Sequence, residues 1–246
     1  RQYGIHSAMP SSQAYRACPQ AIFVKPRFEA YRQASQQIRS AFRHYTDLVE
    51  PLSLDEAYLD VTLVDCFKGS ATLIAQDIKK RIKQQTELTA SAGISYNKFL
   101  AKIASDINKP DGLYLITPEQ GPEFAEKLPV GKFHGIGKAT EAKMLALGIE
   151  TGRELKEFSL ELLQHHFGKA GSYYYNIARA IDERPVHSKR TRKSLGKEIT
   201  FAEDILSVEV LIEKLNTLAE QVLGSLTKQD LQAKTLTVKV KYANFQ

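Results

Sequence analysis

Cysteine is scarce in this sequence, with Cys18 and Cys66 the only two in 246 residues. Two thiols allow neither a disulfide framework nor a four-thiolate metal site, so a reduced, cytoplasmic compartment is the simplest expectation. No apolar run approaches the roughly 18 residues that a membrane span needs, and no charged-then-apolar leader opens the chain. Neither a membrane partner nor a targeting signal is therefore expected. Internal repeats and low-complexity tracts are missing as well. The chain also lacks an initiating methionine, since it opens on Arg1, and it closes just after the alternating run Thr235–Lys241. A half-buried strand of that kind needs sheet partners, so both ends read as cut.

What is present is an ordinary globular composition, 43% hydrophobic and 25% charged, long enough for one to three compact units. The net charge is +6 and the sequence pI about 9.1, a balance that favours a polyanionic partner. Position says more than the sum. Lys189-Arg190-Thr191-Arg192-Lys193 places four cations in five residues shortly after Pro185. The tract fits an exposed linker lying along phosphates, and equally a solvated charged loop.

Periodicity divides the chain. Residues 1–25 are polar and read as the tail of a helical subdomain. Apolar positions at helical spacing (Tyr31, Ala34, Ile38, Phe42, Tyr45) predict a helix over 30–45. Residues 48–62 are strand-like with a tight break near Asp55. A helix follows over 70–86, a strand over 89–94, a helix over 98–107 and a strand over 112–116. Strands mixed among helices indicate an α+β domain, one sheet covered by helices on one face. Past Pro118 the pattern is short helices to Ile181. Beyond the basic tract come a strand over 194–201, a long amphipathic helix over 208–226 and a strand over 234–242, a βαβ-like start of a third domain.

The stretch Glu50-Pro-Leu-Ser-Leu-Asp-Glu-Ala-Tyr-Leu-Asp-Val-Thr62 carries the chemistry. Neighbours on a regular strand point to opposite faces, so Asp55 and Glu56 can serve one site only if the chain turns there. A hairpin tip with two hard oxygen ligands suits Mg²⁺, which takes a few carboxylates plus substrate phosphates. The pair is expected on the open face of the sheet, opposite its helices. An isolated Asp-Glu dipeptide, taken alone, is usually just a polar turn. A second motif, Phe133-His-Gly-Ile-Gly-Lys-Ala-Thr-Glu-Ala-Lys-Met-Leu145, reads as a helix-hairpin-helix. Gly135 and Gly137 permit a tight turn whose N–H groups face outward at a helix start, with Lys138 adding charge, as a phosphate site requires. An ordinary helix–helix turn is the plainer reading.

Four segments then agree in order. Ser53-Leu-Asp-Glu-Ala-Tyr-Leu-Asp60 resembles the palm motif of the Y-family (translesion) DNA polymerases. Arg1-Gln-Tyr-Gly-Ile-His-Ser-Ala-Met-Pro10 resembles their fingers segment. Ala90–Ile94, Asn97–Asp106 and Asn108–Gly112 resemble the rest of their palm, and Gly135-Ile-Gly-Lys138 falls where their thumb lies. The resemblance runs the length of the chain and is closest to the bacterial polymerase IV branch. It implies a right-hand polymerase fragment of α+β class: fingers remnant 1–25, palm 26–117, helical thumb 118–183, basic linker 184–193 and a partial α/β little finger 194–246.

By the same resemblance, Asp55 would ligate the catalytic metal and Glu56 would be the neighbouring active-site acid. Arg1 and Lys109 would grip the incoming triphosphate. Gly135, Ile136, Gly137 and Lys138 would hold DNA phosphates, joined by Arg192, Lys193, Ser194 and Lys197 where the little finger meets the duplex. The implied reaction is nucleotidyl transfer from a deoxynucleoside triphosphate to a primer 3′-OH with Mg²⁺, at low fidelity and past damaged bases. Primer–template DNA, deoxynucleoside triphosphates and, for the full-length protein, the sliding clamp are the implied partners of a monomer. Another metal-binding aspartate belongs to the family's first palm strand, which is absent here, so the chain by itself is expected to be inactive. Tyr173-Tyr-Tyr175 reads as thumb core. The rival class is a non-catalytic helix-hairpin-helix DNA-binding module or a repair glycosylase. A glycosylase needs an Asp soon after the hairpin, whereas the first one after Gly137 is Asp182.

Overall fold

The computed structural model describes residues 2–189 and 192–242. The chain forms two compact units, residues 1–188 and 189–246. The first mixes helices with short strands, in keeping with the α+β reading. Helix α1 spans Ser11–Ala17 and α2 Phe28–Arg43. Strands β1 (Val49–Pro51) and β2 (Ala57–Leu59) pair antiparallel, Glu50 opposite Tyr58. Helix α3 (Ala71–Thr86) starts where the Ser70 hydroxyl accepts the Leu73 N–H, and it stops where Glu87 turns left-handed.

Strand β3 (Ala92–Ile94), helix α4 (Lys98–Ile107) and strand β4 (Leu113–Leu115) form a parallel crossover unit, Ala92 opposite Leu113. Asn97 caps α4 by accepting the Leu100 N–H at 2.9 Å. The single expected sheet is thus two separate two-stranded pairs among the described residues. Each strand is three residues long and finds only one neighbour, too little ladder to merge the pairs.

Five short helices complete the unit: α5 (Gly121–Lys127), α6 (Lys138–Ala146), α7 (Gly152–Glu157), α8 (Leu160–Phe167) and α9 (Ala170–Ile177). Ile74, Ile78 and Ile82 of α3 bury against Ala41 of α2 and against Leu59 and Val61 beside the hairpin. The opposite core is larger. Phe99, Leu100, Ile103 and Ala104 on one face of α4 pack with Phe133, Met144, Leu155, Leu163 and Ile177 from the helical region. Tyr174 is buried there while Tyr173 and Tyr175 pack against it, so the triple tyrosine is core, as its helical setting predicts.

Helix α4 meets β3 at very short range. A Cβ on Gly93 would lie 2.0 Å from the Ala101 carbonyl oxygen and 2.2 Å from the Ser105 nitrogen, both rigid backbone. The chain leaving α9 is fastened to the start of the same helix. Asn97 Nδ2 donates to the Ala180 carbonyl (2.8 Å), and the Phe99 N–H donates to Asp182 Oδ2 (3.0 Å).

In the second unit, α10 (Val208–Lys228) is capped by Ser207, whose hydroxyl oxygen accepts the Val210 N–H. None of its residues is buried. The strands expected over 194–201 and 234–242 are not formed. Alternation supplies only the propensity for a strand. The strand itself exists where ladder bonds form, and no β-ladder includes either segment among the described residues.

Gly93→Ala is expected to lower unfolding free energy by more than about 2 kcal/mol, because only backbone could move aside. Gly224→Ala in α10, whose Cβ meets nothing within 4 Å, should not lower it. Urea denaturation of both variants checks the contrast.

Candidate functional site

The β1–β2 turn carries Asp55 and Glu56, both exposed. The Leu52 and Ser53 N–H groups donate to the Glu56 carbonyl at 2.9 and 3.3 Å. Ser53 Oγ donates to Asp55 Oδ1 (2.6 Å) and accepts the Asp55 N–H (3.3 Å). Such side-chain bonding to the local backbone favours a turn over continued strand, which takes the two acids out of strict alternation.

The pair was expected opposite the helices, but Glu56 is in contact with one, whereas the bonds of Asp55 stay within its own turn. Lys102 of α4 reaches Glu56 Oε1 at 3.2 Å and Asp106 Oδ2 at 3.8 Å, with its side chain only 16% exposed. Lys109 bonds Asp106 Oδ1 at 2.5 Å. One turn earlier, Lys98 pairs with Glu50 and lies 5.3 Å from the centre of the Tyr58 ring. Positions 98, 102 and 106 share one face by the three- and four-residue spacing of a helix. The opposite face of α4 must stay in the core, so this polar stripe is held toward the hairpin.

The Lys109 ammonium is held above its ordinary pKa, first by the hydrogen bond to Asp106. Partial burial opposes this, and the negative charges of Asp106, Glu56 and Asp55 add to it. For Asp106, burial would raise the pKa, but the Lys109 bond and the charges of Lys102 and Lys109 hold it low. Burial pushes the Tyr58 phenol up to about 12, and its hydroxyl has no hydrogen-bond partner among the described residues.

Asp55 and Glu56 are hard oxygen donors, each with one carboxylate oxygen outside the bonds just described. No cluster of three or more metal-binding side chains occurs among the described residues. Two exposed carboxylates fit Mg²⁺, which keeps waters and shares itself with phosphates. They do not fit a cation needing an all-protein cage.

The second motif is a turn before α6. Gly135 has φ +94°, a left-handed geometry that favours glycine, and a Cβ there would lie 3.4 Å from the Tyr173 ring. Gly137 differs. Its φ of −87° suits any residue, and a Cβ would meet nothing within 4 Å. The fold itself does not require glycine at 137, whereas close approach of an outside molecule would. Ile136 is buried beneath the turn, while Lys138 is exposed at the start of α6. The Tyr173 hydroxyl donates to the His134 carbonyl at 3.0 Å. Partial desolvation, then the charges of Lys102 and Arg184, lower the His134 pKa, and Glu56 and Asp106 oppose them. This turn and the carboxylates therefore share one electrostatic neighbourhood.

Arg1 lies outside the described residues, as do Arg190 and Thr191 of the basic tract. Arg192, Lys193, Ser194 and Lys197 are exposed in the second unit, where Arg192 bonds Gln229 Oε1 at 2.9 Å. Sequence reasoning assigned no role to Lys98, Lys102, Asp106, Asp182 or Arg184. Charges spaced four apart on α4 were the available signal for the first three.

Asp182 is the most buried acid of this region. Its side chain is 2% exposed and accepts Arg184 Nε at 2.6 Å and Nη2 at 2.7 Å. Arg184 lies 4.9 Å from the Tyr173 ring centre. Nearby, Glu50 accepts the His187 N–H at 2.7 Å as well as Lys98.

Comparison with known proteins follows from this geometry. The impB/mucB/samB family pattern matches residues 1–106, and its C-terminal domain matches 192–246. The pattern described as "DNA polymerase-iota, thumb domain" matches residues 131–182. The chain is 58% identical to DNA polymerase IV 3 of Mesorhizobium japonicum and 54% identical to DNA polymerase IV of Alkalilimnicola ehrlichii. All of this chain aligns in both cases, with 68% and 69% of those proteins. Among solved structures it resembles a Y-family DNA polymerase chimera, Dbh-Dpo4(243-245)-Dbh. The TM-score is 0.83 at 30% identity, over 91% of this chain and 65% of that one. It also resembles an insertion ternary complex of Dbh DNA polymerase, with TM-score 0.72 at 29% identity, over 92% of this chain and 66% of that one. No helix among the described residues is long and apolar enough to cross a membrane.

Asp182 makes stability pH-dependent. Burial alone would raise its pKa, but the bonds and charge of Arg184 and the Phe99 N–H hold it low. A carboxyl depressed in the folded state contributes stability above its unfolded pKa of about 3.9. That contribution is lost as pH falls through the folded value. Asp182→Asn should therefore be about 2 kcal/mol less stable at pH 7 and approach the parent protein below about pH 4. Denaturation at several pH values measures the convergence.

Proposed function

We infer the function from a premise the matches establish: this chain belongs to the impB/mucB/samB family, the Y-family DNA polymerases, on the DNA polymerase IV branch. The whole protein, on this reading, is a DNA-directed DNA polymerase that copies damaged templates at low fidelity. The carrying observation is the exposed Asp55–Glu56 turn set against Lys102 and Lys109. An anionic edge suited to a metal and a cation suited to phosphate lie within electrostatic reach of one another.

Phosphoryl transfer asks a protein mainly for position and charge. Asp55 would hold Mg²⁺ and Glu56 would stand beside it as the second acid. When bound, the metal would neutralise the negative charge of the reacting phosphates. Lys109 and Arg1 would take the triphosphate. The N–H groups at the start of α6, with Gly135, Ile136, Gly137 and Lys138, would hold DNA phosphates without reading sequence. Arg192, Lys193, Ser194 and Lys197 would add backbone contacts from the second unit. Residues 1–25, 26–117, 118–183, 184–193 and 194–246 are read as fingers remnant, palm, thumb, linker and partial little finger. A sliding clamp as further partner, a monomeric state and a cytoplasmic location complete the proposal. A helix-hairpin-helix adaptor would have no use for the acid turn and its lysines.

Asp55→Ala in the whole natural protein should reduce primer extension by more than about a thousandfold while duplex affinity stays within about twofold. Loss of both together would assign Asp55 to DNA binding instead. Gly137→Val should weaken binding about tenfold on any duplex sequence, with a melting temperature lowered by only a few degrees, since Val caps the start of α6 less well than Gly. Fluorescence anisotropy against rising salt reads this. Affinity that ignored salt would count against a phosphate contact.

A further inference from the structure

We propose that Asp106 is a positioning residue that holds the Lys109 ammonium in place for the incoming triphosphate. The inference rests on the reading of Lys109 as a triphosphate ligand. Asp106 stands in the last turn of α4, where a carboxylate opposes the helix dipole. Helix propensity therefore gives no reason for an acid there, whereas its contacts do. One oxygen takes Lys109 at 2.5 Å, and the other faces Lys102 at 3.8 Å. Lys102 is itself fixed by Glu56 at 3.2 Å and is largely buried. Asp106 is thus anchored from the acid edge and presents its remaining oxygen to Lys109.

Lys109 lies beyond the end of α4, and its side chain is 51% exposed. A lysine there is a long, mobile side chain that loses conformational freedom when it binds phosphate. Holding it beforehand lowers that cost. An exposed ion pair contributes little to folding stability, so removing the Asp106 charge should affect nucleotide use far more than folding.

The test is steady-state primer extension by the whole natural protein, with a primer–template, Mg²⁺ and varied deoxynucleoside triphosphate. Asp106→Asn should raise KM for the nucleotide about fivefold, with kcat and DNA affinity within about twofold of the parent protein. Asp106→Glu should recover most of the loss. In a Lys109→Ala background, Asp106→Asn should add nothing. If Lys109→Ala leaves KM unchanged, the triphosphate reading itself is wrong. If Lys109→Ala raises KM but Asp106→Asn does not, only the positioning role fails. An equal effect of Asp106→Asn in both backgrounds, or a lower KM, also overturns it. Should Asp106→Asn fold poorly, Asp106→Ser carries the same expectations.

Discussion

Helix α4 can lie across β3 at its observed distance only because position 93 has no side chain. With backbone atoms about to collide with any Cβ there, the helix is seated by the sheet rather than by side chains that could repack. Seating α4 fixes its rotation as well. Phe99, Leu100, Ile103 and Ala104 enter the core shared with α5–α9, so Lys98, Lys102 and Asp106 must emerge toward the hairpin. Close backbone approach thereby sets the distance between the acid turn and the lysines that face it.

The charges on α4 run against its dipole. Lys98 sits in the first turn and Asp106 in the last, the reverse of what an isolated helix prefers. Lys98 is also nearly buried, and a buried cation is tolerated only with a partner. Glu50 and the face of the Tyr58 ring supply that partner. Local preference therefore yields to the pairing of α4 with the hairpin acids Glu50 and Glu56. Such violations concentrate where a surface is built for a ligand.

The elements of this site were legible because each is local. The strand-like residues on both sides of Asp55 announced a hairpin, and the helix expected over 98–107 is α4. How they meet was not legible. The Lys102–Glu56 contact joins residues 46 positions apart, and no periodicity within either segment encodes it. The same limit explains the segments over 194–201 and 234–242. Both were read as strands and neither is formed, because pairing belongs to a partner strand rather than to the segment. The two glycines of the 135–138 turn looked equivalent in sequence. Backbone geometry separates them, with Gly135 required by its positive φ and Gly137 by nothing inside the molecule.

The seating of α4 and the hairpin is reinforced by where the chain goes after α9. Asp182 accepts the Phe99 N–H at the start of α4, and Glu50, on the hairpin strand leading to the acids, accepts the His187 N–H. The segment that leaves the helical region is thus bonded at two points to the elements that present the carboxylates and lysines. Any rotation of α6–α9 away from the hairpin would have to break the Phe99–Asp182 or the His187–Glu50 bond, the first leaving the largely buried Asp182 carboxylate short of a partner. Catalysis by positioning loses heavily from displacements of about 1 Å. On the proposed reading the 135–138 turn would hold phosphates and the Asp55–Glu56 pair would act on them, so both would benefit from belonging to one unit. Buried polar contacts resist shear better than apolar packing alone because their geometry is directional.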